Sequence, residues 1–416
     1  MFARRASWDL TPSALAAHAA ARRARGEPLL DLGDANPTHA GLAAPAAALA
    51  EALAGLADDP RALRYAPDPR GDPAARAAIA ACHAGAAPEH VVLTAGTSEG
   101  YAHLFRLLAD PGDRVHLPSP GYPLFEHLAE LEGLEAVRYP LRPPARGAGA
   151  RWRIDVDALA ASLSPRSRAA LVIHPHNPTG SFVDPADLDA LRALGRRQRM
   201  ALVSDEVFAE SSLAGEAPAG ALAGAEAGPL HFVLSGASKL LALPQLKVAW
   251  IAVGGPARER DEALARLEFL ADAYLCVSPL VASLLPRLLA GRAATREALR
   301  ARVAGNRARL AAALAGQPEL ALLPAEAGWA ALVRIAGAGG AEPDEEALAL
   351  GLLEREGVLV QPGFWFELEA TGPPGAAAHL VLSLLAEPAE FARGAEALAE
   401  GLGRLLRAGP ANLSRI

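Results

Sequence analysis

Residues 169–204 read AALVIHPHNPTGSFVDPADLDALRALGRRQRMALVS: a short apolar run, a proline-rich loop, a helical pattern and a second apolar run. Within the helical part, Arg196 and Arg197 mark a solvated face. The same alternation extends in both directions. Apolar runs at 91–95 (VVLTA), 114–117, 136–139, 169–173, 201–204, 231–235 (HFVLS) and 248–253 (VAWIAV) are separated by helical patterns. Strands alternating with helices predict βαβ units. The expected fold is therefore α/β, with a mainly parallel seven-stranded sheet sandwiched by helices. Ligands bind such sheets just beyond the C-terminal strand ends. Polar candidates stand there: Thr97 and Ser98 after the first run, Asn177 after the fourth, Asp205 after the fifth and Lys239 after the sixth.

Beyond this region, residues 261–315 read as long helices rich in Leu, Ala and Arg. The segment 328–416 mixes strands (329–335, 357–360, 379–385) with helices (343–356, 388–407). That pattern predicts a smaller α/β lobe completed by the N-terminal helix. The expected division is 1–40 joining the small lobe, 41–280 as the large domain and 281–416 as the small one. Alanine-rich stretches (41–57, 74–87, 311–315) carry leucines at helical spacing, and alanine is the best helix former, so they read as helices. Segments 142–150, 214–229, 336–343 and 371–377, rich in Gly, Pro or Ala, read as loops.

At 416 residues the chain can bury a large core plus a smaller lobe. No stretch reaches the roughly 18 apolar residues of a membrane span, and the N-terminus carries no secretory pattern. A net charge of -7 argues against nucleic-acid binding. Cys82 and Cys276 are far apart and match no metal or disulfide pattern. A cytoplasmic enzyme is the expectation, with no membrane or nucleic-acid partner.

Of 40 basic residues, two are lysines, Lys239 and Lys247. Arginine serves wherever a surface needs only positive charge, but its guanidinium stays protonated. A role that survives this bias is one needing a deprotonatable primary amine, as a Schiff-base lysine does. His174 and His176 invite a metal reading, but without a third ligand nearby none is expected.

Taken together, these motifs resemble the fold-type-I, pyridoxal 5'-phosphate (PLP)-dependent aminotransferases of class I/II, the aspartate and alanine aminotransferase group. The resemblance runs from about residue 30 to 390. In SGASKLLALPQLK (235–247), Lys239 matches the lysine that carries the cofactor as a Schiff base and shuttles protons. Lys247 stands where the family usually has a phosphate-pairing arginine. Gly236 replaces the usual phosphate-binding serine, leaving Ser235 or Ser238 for that contact. Asp205 in SDEVF matches the aspartate that keeps the cofactor's ring nitrogen protonated. Phe208 stands where a tyrosine commonly donates to the ring hydroxyl.

The resemblance implies further roles. Asn177, in HPHNPTG, matches a donor to the ring hydroxyl, and Tyr122 the aromatic that stacks on the ring. Thr97 and Ser98 in TAGTSEG begin a phosphate cradle, although an ordinary helix cap reads the same way. Tyr65 in YAPDPRG matches a tyrosine that reaches the partner's phosphate in a homodimer. Gly33 and Asn36 in DLGDANPT are the expected substrate contacts. The usual carboxylate-binding arginine is missing from AAHLVLSLL (377–385), with His379 and Arg334 the nearest cations.

The implied activity is ping-pong transfer of an amino group between an amino acid, alanine or another small neutral one, and a 2-oxo acid. Lys239, Asp205 and Tyr122 form the implied catalytic set. Alternatives on the same fold are a PLP-dependent lyase, decarboxylase or oxidase, or a noncatalytic PLP-sensing domain.

Overall fold

The computed structural model describes residues 2–56, 59, 64–144, 151–215, 217–221, 223, 225–275, 277–336, 343–368 and 377–408. Cys276, Ala57 and much of the predicted loops 142–150, 336–343 and 371–377 lie outside these residues, as do Glu216, Leu222 and Gly224 in loop 214–229. In chain order the described strands are β1 (Leu30–Asp31), β2 (Val91–Thr94), β3 (Arg114–Ser119), β4 (Glu135–Arg142), β5 (Arg153–Ile154), β6 (Ser167–Ile173) and β7 (Ala201–Asp205). There follow β8 (His231–Gly236), β9 (Ala249–Gly254), β10 (Leu320–Leu322), β11 (Ala330–Ala336), β12 (Val358–Leu359), β13 (Gln361–Pro362) and β14 (Ala377–Ser383).

The large sheet has the order β2-β9-β8-β7-β6-β3-β4-β5. Five neighbouring strands, β8 through β4, are parallel. β9 runs antiparallel to both β8 and β2, which returns β2 to the direction of the parallel set. The C-terminal ends of β2, β6, β7 and β8 therefore share one edge. The sheet has eight strands, not the expected seven. The addition is β5, two residues paired antiparallel to the end of β4, too short to show any alternation.

β7 and β8 are buried along their whole length, because helices cover both faces of the sheet. On one face Tyr101, Phe105, Phe125 and Leu267 pack together; on the other, Ile79, Trp250 and Leu285 do so. Local chemistry sets the helix starts. Asp184 caps helix Pro185–Gln198 by accepting the Ala186 N–H, with proline at the first position, where no donor is needed.

The predicted helical region 261–315 resolves into Ala257–Tyr274, Pro279–Ala290 and Arg292–Leu314. Pro279–Ala290 packs on Pro73–Ala80 against the large sheet, whereas Arg292–Leu314 contributes Leu299, Val303 and Leu310 to the small lobe's core. The small sheet has the order β10-β11-β14-β13 and is antiparallel. The predicted strand 357–360 is β12, which pairs with β1 outside this sheet, and β13 follows it to pair with β14. The N-terminal helix Ala14–Ala24 places Leu15 and Ala19 in this lobe's core.

Candidate active site

The C-terminal edge of the large sheet faces β11, β13 and β14 across a cavity of about 600 Å³, a size suited to a small molecule. Thr97, Ser98, Tyr122, Asn177, Asp205, Phe208, Ser238, Lys239, Lys247 and Gly33 all line it.

At one end, helix Thr97–Leu108 starts directly after β2. Its cap is Gly96, which has no side chain to satisfy the first N–H groups, so Thr97 and Ser98 occupy the first turn rather than capping it. A Cβ on Gly96 would stand 3.6 Å from Nζ of Lys247. A helix N-terminus, two hydroxyls and an ammonium group thus converge, the chemistry that holds a phosphate.

At the centre, Asp205 ends β7. Its Oδ2 accepts a 2.8 Å hydrogen bond from the Tyr101 hydroxyl, and its Oδ1 accepts the Val207 N–H. Asp205 therefore caps no helix. Burial pushes its carboxyl above the usual range, opposed by the Val207 N–H, the Tyr101 hydroxyl and the charge of Lys239. Burial, then the charge of Asp205, raises the Tyr101 hydroxyl far above its ordinary value, so it remains a donor.

Lys239 lies just past β8 and is half-buried. Its Nζ sits 5.1 Å from the ring centre of Trp329 and 5.8 Å from that of Phe208. Those two rings meet edge to face at 5.2 Å. Burial lowers the lysine's pKa, against the pull of Asp205. Among the described residues this amine makes no hydrogen bond or ion pair. The Asn177 amide, on the loop after β6, likewise has no hydrogen-bond partner among them. That loop is pinned at Gly180 (φ +70°), whose carbonyl accepts the N–H groups of Glu326 and Ala327. A Cβ there would stand 2.5 Å from the Ala327 oxygen. Tyr122 lines the cavity edge-on to Phe125, its hydroxyl raised by burial and then by Asp205.

Two expected positions fall elsewhere, and a third, Tyr65, is expected at a partner's site and not at this one. Ser235 turns its hydroxyl to the carbonyl of Glu206, away from the cavity, which leaves Ser238 as the serine on the wall. Asn36 spends its side-chain oxygen on the Thr38 N–H and hydroxyl, capping a short turn, and does not line the cavity. Tyr65 is 83% exposed and outside this chain's cavity.

Neither candidate cation for a carboxylate reaches the wall. Arg334 and His379 form the cross-strand pair beyond it, with Arg334 exposed. His176 bonds Thr179 and the Pro120 carbonyl, and His174 accepts the Val183 N–H, so both serve the loop's structure. Reasoning from sequence missed Tyr101, Trp329 and Gln361. Tyr101, four residues after Thr97 on the same helix, had a signal in helical spacing; the other two become neighbours of Lys239 and Gly33 only through the small lobe's fold.

A cavity at the strand ends, whose wall carries an anion cradle and a lysine unpaired among the described residues, sets the chain among α/β proteins that bind a small molecule there. The chain belongs to the aminotransferase class I and II family, whose model matches residues 27–377. An alanine aminotransferase of Mycobacterium tuberculosis is 29% identical over 266 residues, 62% of this chain and 59% of that protein. The S-alkyl-thiohydroximate lyase SUR1 of Arabidopsis thaliana is 30% identical over 169 residues, 41% of this chain and 35% of that one. This chain thus spans less than two thirds of the length of these relatives. The solved alanine aminotransferase of Pyrococcus furiosus shares the fold, with a TM-score of 0.82 and 20% identity over 97% of this chain and all of that one.

Proposed function

We propose that this chain is a PLP-dependent aminotransferase that takes the amino group of an amino acid and delivers it to a 2-oxo acid, the two substrates using one site in turn. The observation that carries the reading is the Lys239 amine: unpaired among the described residues, held below the usual lysine range and close enough to Asp205 to feel its charge. PLP fits the polar groups left open here. Its phosphate suits the N-terminus of helix Thr97–Leu108 with Thr97, Ser98, Ser238 and Lys247. Asp205, held by Tyr101, suits its ring nitrogen; the Asn177 amide suits its ring hydroxyl, and Tyr122 the ring face.

When bound, PLP supplies an electron sink for charge left on the substrate carbon. The chain's own part is proton movement and exclusion of water. Lys239, once deprotonated, takes the proton from the amine-bearing carbon of the donor, and returns one to the corresponding carbon of the acceptor. Phe208 and Trp329 keep this amine on a dry, apolar surface.

Two further readings belong to the proposal. The working unit is a homodimer in which Tyr65 reaches the partner's site. Supporting this, Arg70 bonds Glu268 and so brings the Tyr65 segment beside the helix of Phe269, while Phe269, Leu275 and Leu280 are exposed apolar groups. Size-exclusion chromatography with light scattering tests it. The lobes divide near Gly291, since Pro279–Ala290 packs with the large sheet, a later boundary than the sequence suggested. Among the described residues no helix is long and apolar enough to cross a membrane; a cytoplasmic location is part of the proposal, supported by Cys82, a free thiol.

A second reading, elimination, is favoured by the name of the Arabidopsis relative and by Phe208. One experiment separates the two. The PLP-loaded protein is mixed with single amino acids, following the visible cofactor band and the products. Loss of the band with release of a 2-oxo acid and no ammonia supports transfer; release of ammonia supports elimination, and carbon dioxide would mean decarboxylation.

A further inference from the structure

The charged groups of the cavity all lie on its large-sheet side: Glu99, Asp205, Lys239 and Lys247. Glu99 is occupied by the Ala95 N–H. The small-sheet wall is uncharged, with Trp329, Ala330, Phe366, Val381 and Leu382 supplying apolar surface. Within that wall stand two neutral polar side chains, Gln361 and Ser383. The register explains their meeting. Gln361 of β13 pairs directly with Val381 of β14, so both point to one face. Ser383, two residues along β14, shares it.

Both retain donors. The Gln361 amide has no hydrogen bond among the described residues, and its Cγ and Cδ lie 3.5 and 3.9 Å from where a Cβ on Gly33 would be. It is packed against the N-terminal strip. The Ser383 backbone N–H donates to Leu32, and its Oγ accepts the Leu385 N–H at 3.4 Å, which leaves the hydroxyl proton to give.

We infer that Gln361, assisted by Ser383, binds the acid group of the substrate with uncharged donors and no counter-ion, so that the site accepts amino acids and their carboxamides alike. This rests on the aminotransferase reading above. An ionic grip would discriminate strongly for a carboxylate, because charge-assisted bidentate bonds are about twice as strong as neutral ones. A glutamine amide makes a much smaller distinction: its N–H groups donate to a carboxylate or, less strongly, to a carbonyl, and its oxygen also accepts from a carboxamide NH₂. Val381 and Trp329 beside it give neither form a counter-charge.

The test uses the PLP-loaded protein and two unreactive probes, 3-phenylpropanoate and 3-phenylpropanamide, whose ring suits the apolar wall of Leu124, Phe125 and Leu128. Calorimetry is expected to give dissociation constants within about tenfold of each other, both weakened about tenfold in Gln361→Ala. In steady state, phenylalanine and phenylalaninamide should both show a raised KM in that variant with kcat little changed. Wild-type preference for the acid by about a thousandfold, or unchanged binding in Gln361→Ala, overturns the inference. If Gln361→Ala does not fold, Ser383→Ala and the wild-type comparison decide it by the same criteria. Should the probes bind as expected while no amino acid gives up its nitrogen, the aminotransferase reading falls and the assignment of Gln361 stands.

Discussion

The Tyr101 hydroxyl donates to Oδ2 of Asp205 at 2.8 Å in a buried pocket, joining residues 104 positions apart. The bond fixes the carboxylate's orientation and favours its charged form. Tyr101→Phe removes the donor but keeps the ring that packs on Phe105 and Phe125. A hydrogen bond to a charged group contributes about 1.5–3 kcal/mol. PLP affinity should therefore fall roughly ten- to a hundredfold with the fold intact, as measured by absorbance titration of the cofactor-free protein. Unchanged affinity would remove Asp205 from the cofactor's partners.

Lys239 is expected to be the one residue through which PLP becomes covalently attached. After borohydride reduction, wild-type protein should carry the cofactor on the peptide containing Lys239, and Lys239→Ala should carry none. Amino transfer by that variant should drop by about 10⁴-fold, the upper range for loss of a positioned acid–base group. Cofactor retained covalently in Lys239→Ala would point to Lys247 and undo the central assignment.

Much of this site was legible because its residues directly follow apolar runs. Asp205, Asn177 and Lys239 inherit their positions from the strands before them, so finding the strands placed the groups. What escaped depends on distant packing or very short elements. β5, β1 and β13 are two residues each, below any period. Gln361 reaches the cavity only because β13 pairs with β14. Asn36 sits in a suitable strip, yet the N–H and hydroxyl of Thr38, two residues on, capture its side-chain oxygen. Ser235 and Ser238 differ by a strand-to-helix change between them, which turns one hydroxyl outward from the site and the other toward it.

Phe208 supplies an apolar edge to Trp329 where a tyrosine would add a donor. Phe208→Tyr should therefore stabilise a negatively charged ring oxygen on the bound cofactor and lower the pH midpoint of the visible band. A charge-assisted bond of about 1.5 kcal/mol moves such a midpoint by about one unit. Spectrophotometric titration of both proteins checks it; coincident curves would mean that the new hydroxyl does not reach the cofactor.

Glu206 follows Asp205 but faces away from the chemistry, with its Oε1 accepting the Ala221 N–H at 2.7 Å. Burial, with the charge of Asp205 adding, pushes its pKa from 4.5 up to about 7, against the pull of that N–H. A carboxyl raised in the folded state binds more protons folded than unfolded between those values. Its contribution to stability is therefore whole below about pH 4.5, and is lost as the pH rises through about 7. Glu206→Gln keeps an acceptor for Ala221 and removes the titration. Relative to wild type, the variant should gain stability as the pH rises from about 4.5 to 7 and then level off, by at most about 3 kcal/mol. Denaturant midpoints across that range measure the difference. A difference that stays flat with pH would show that Glu206 titrates normally and that the loop it holds gives it water.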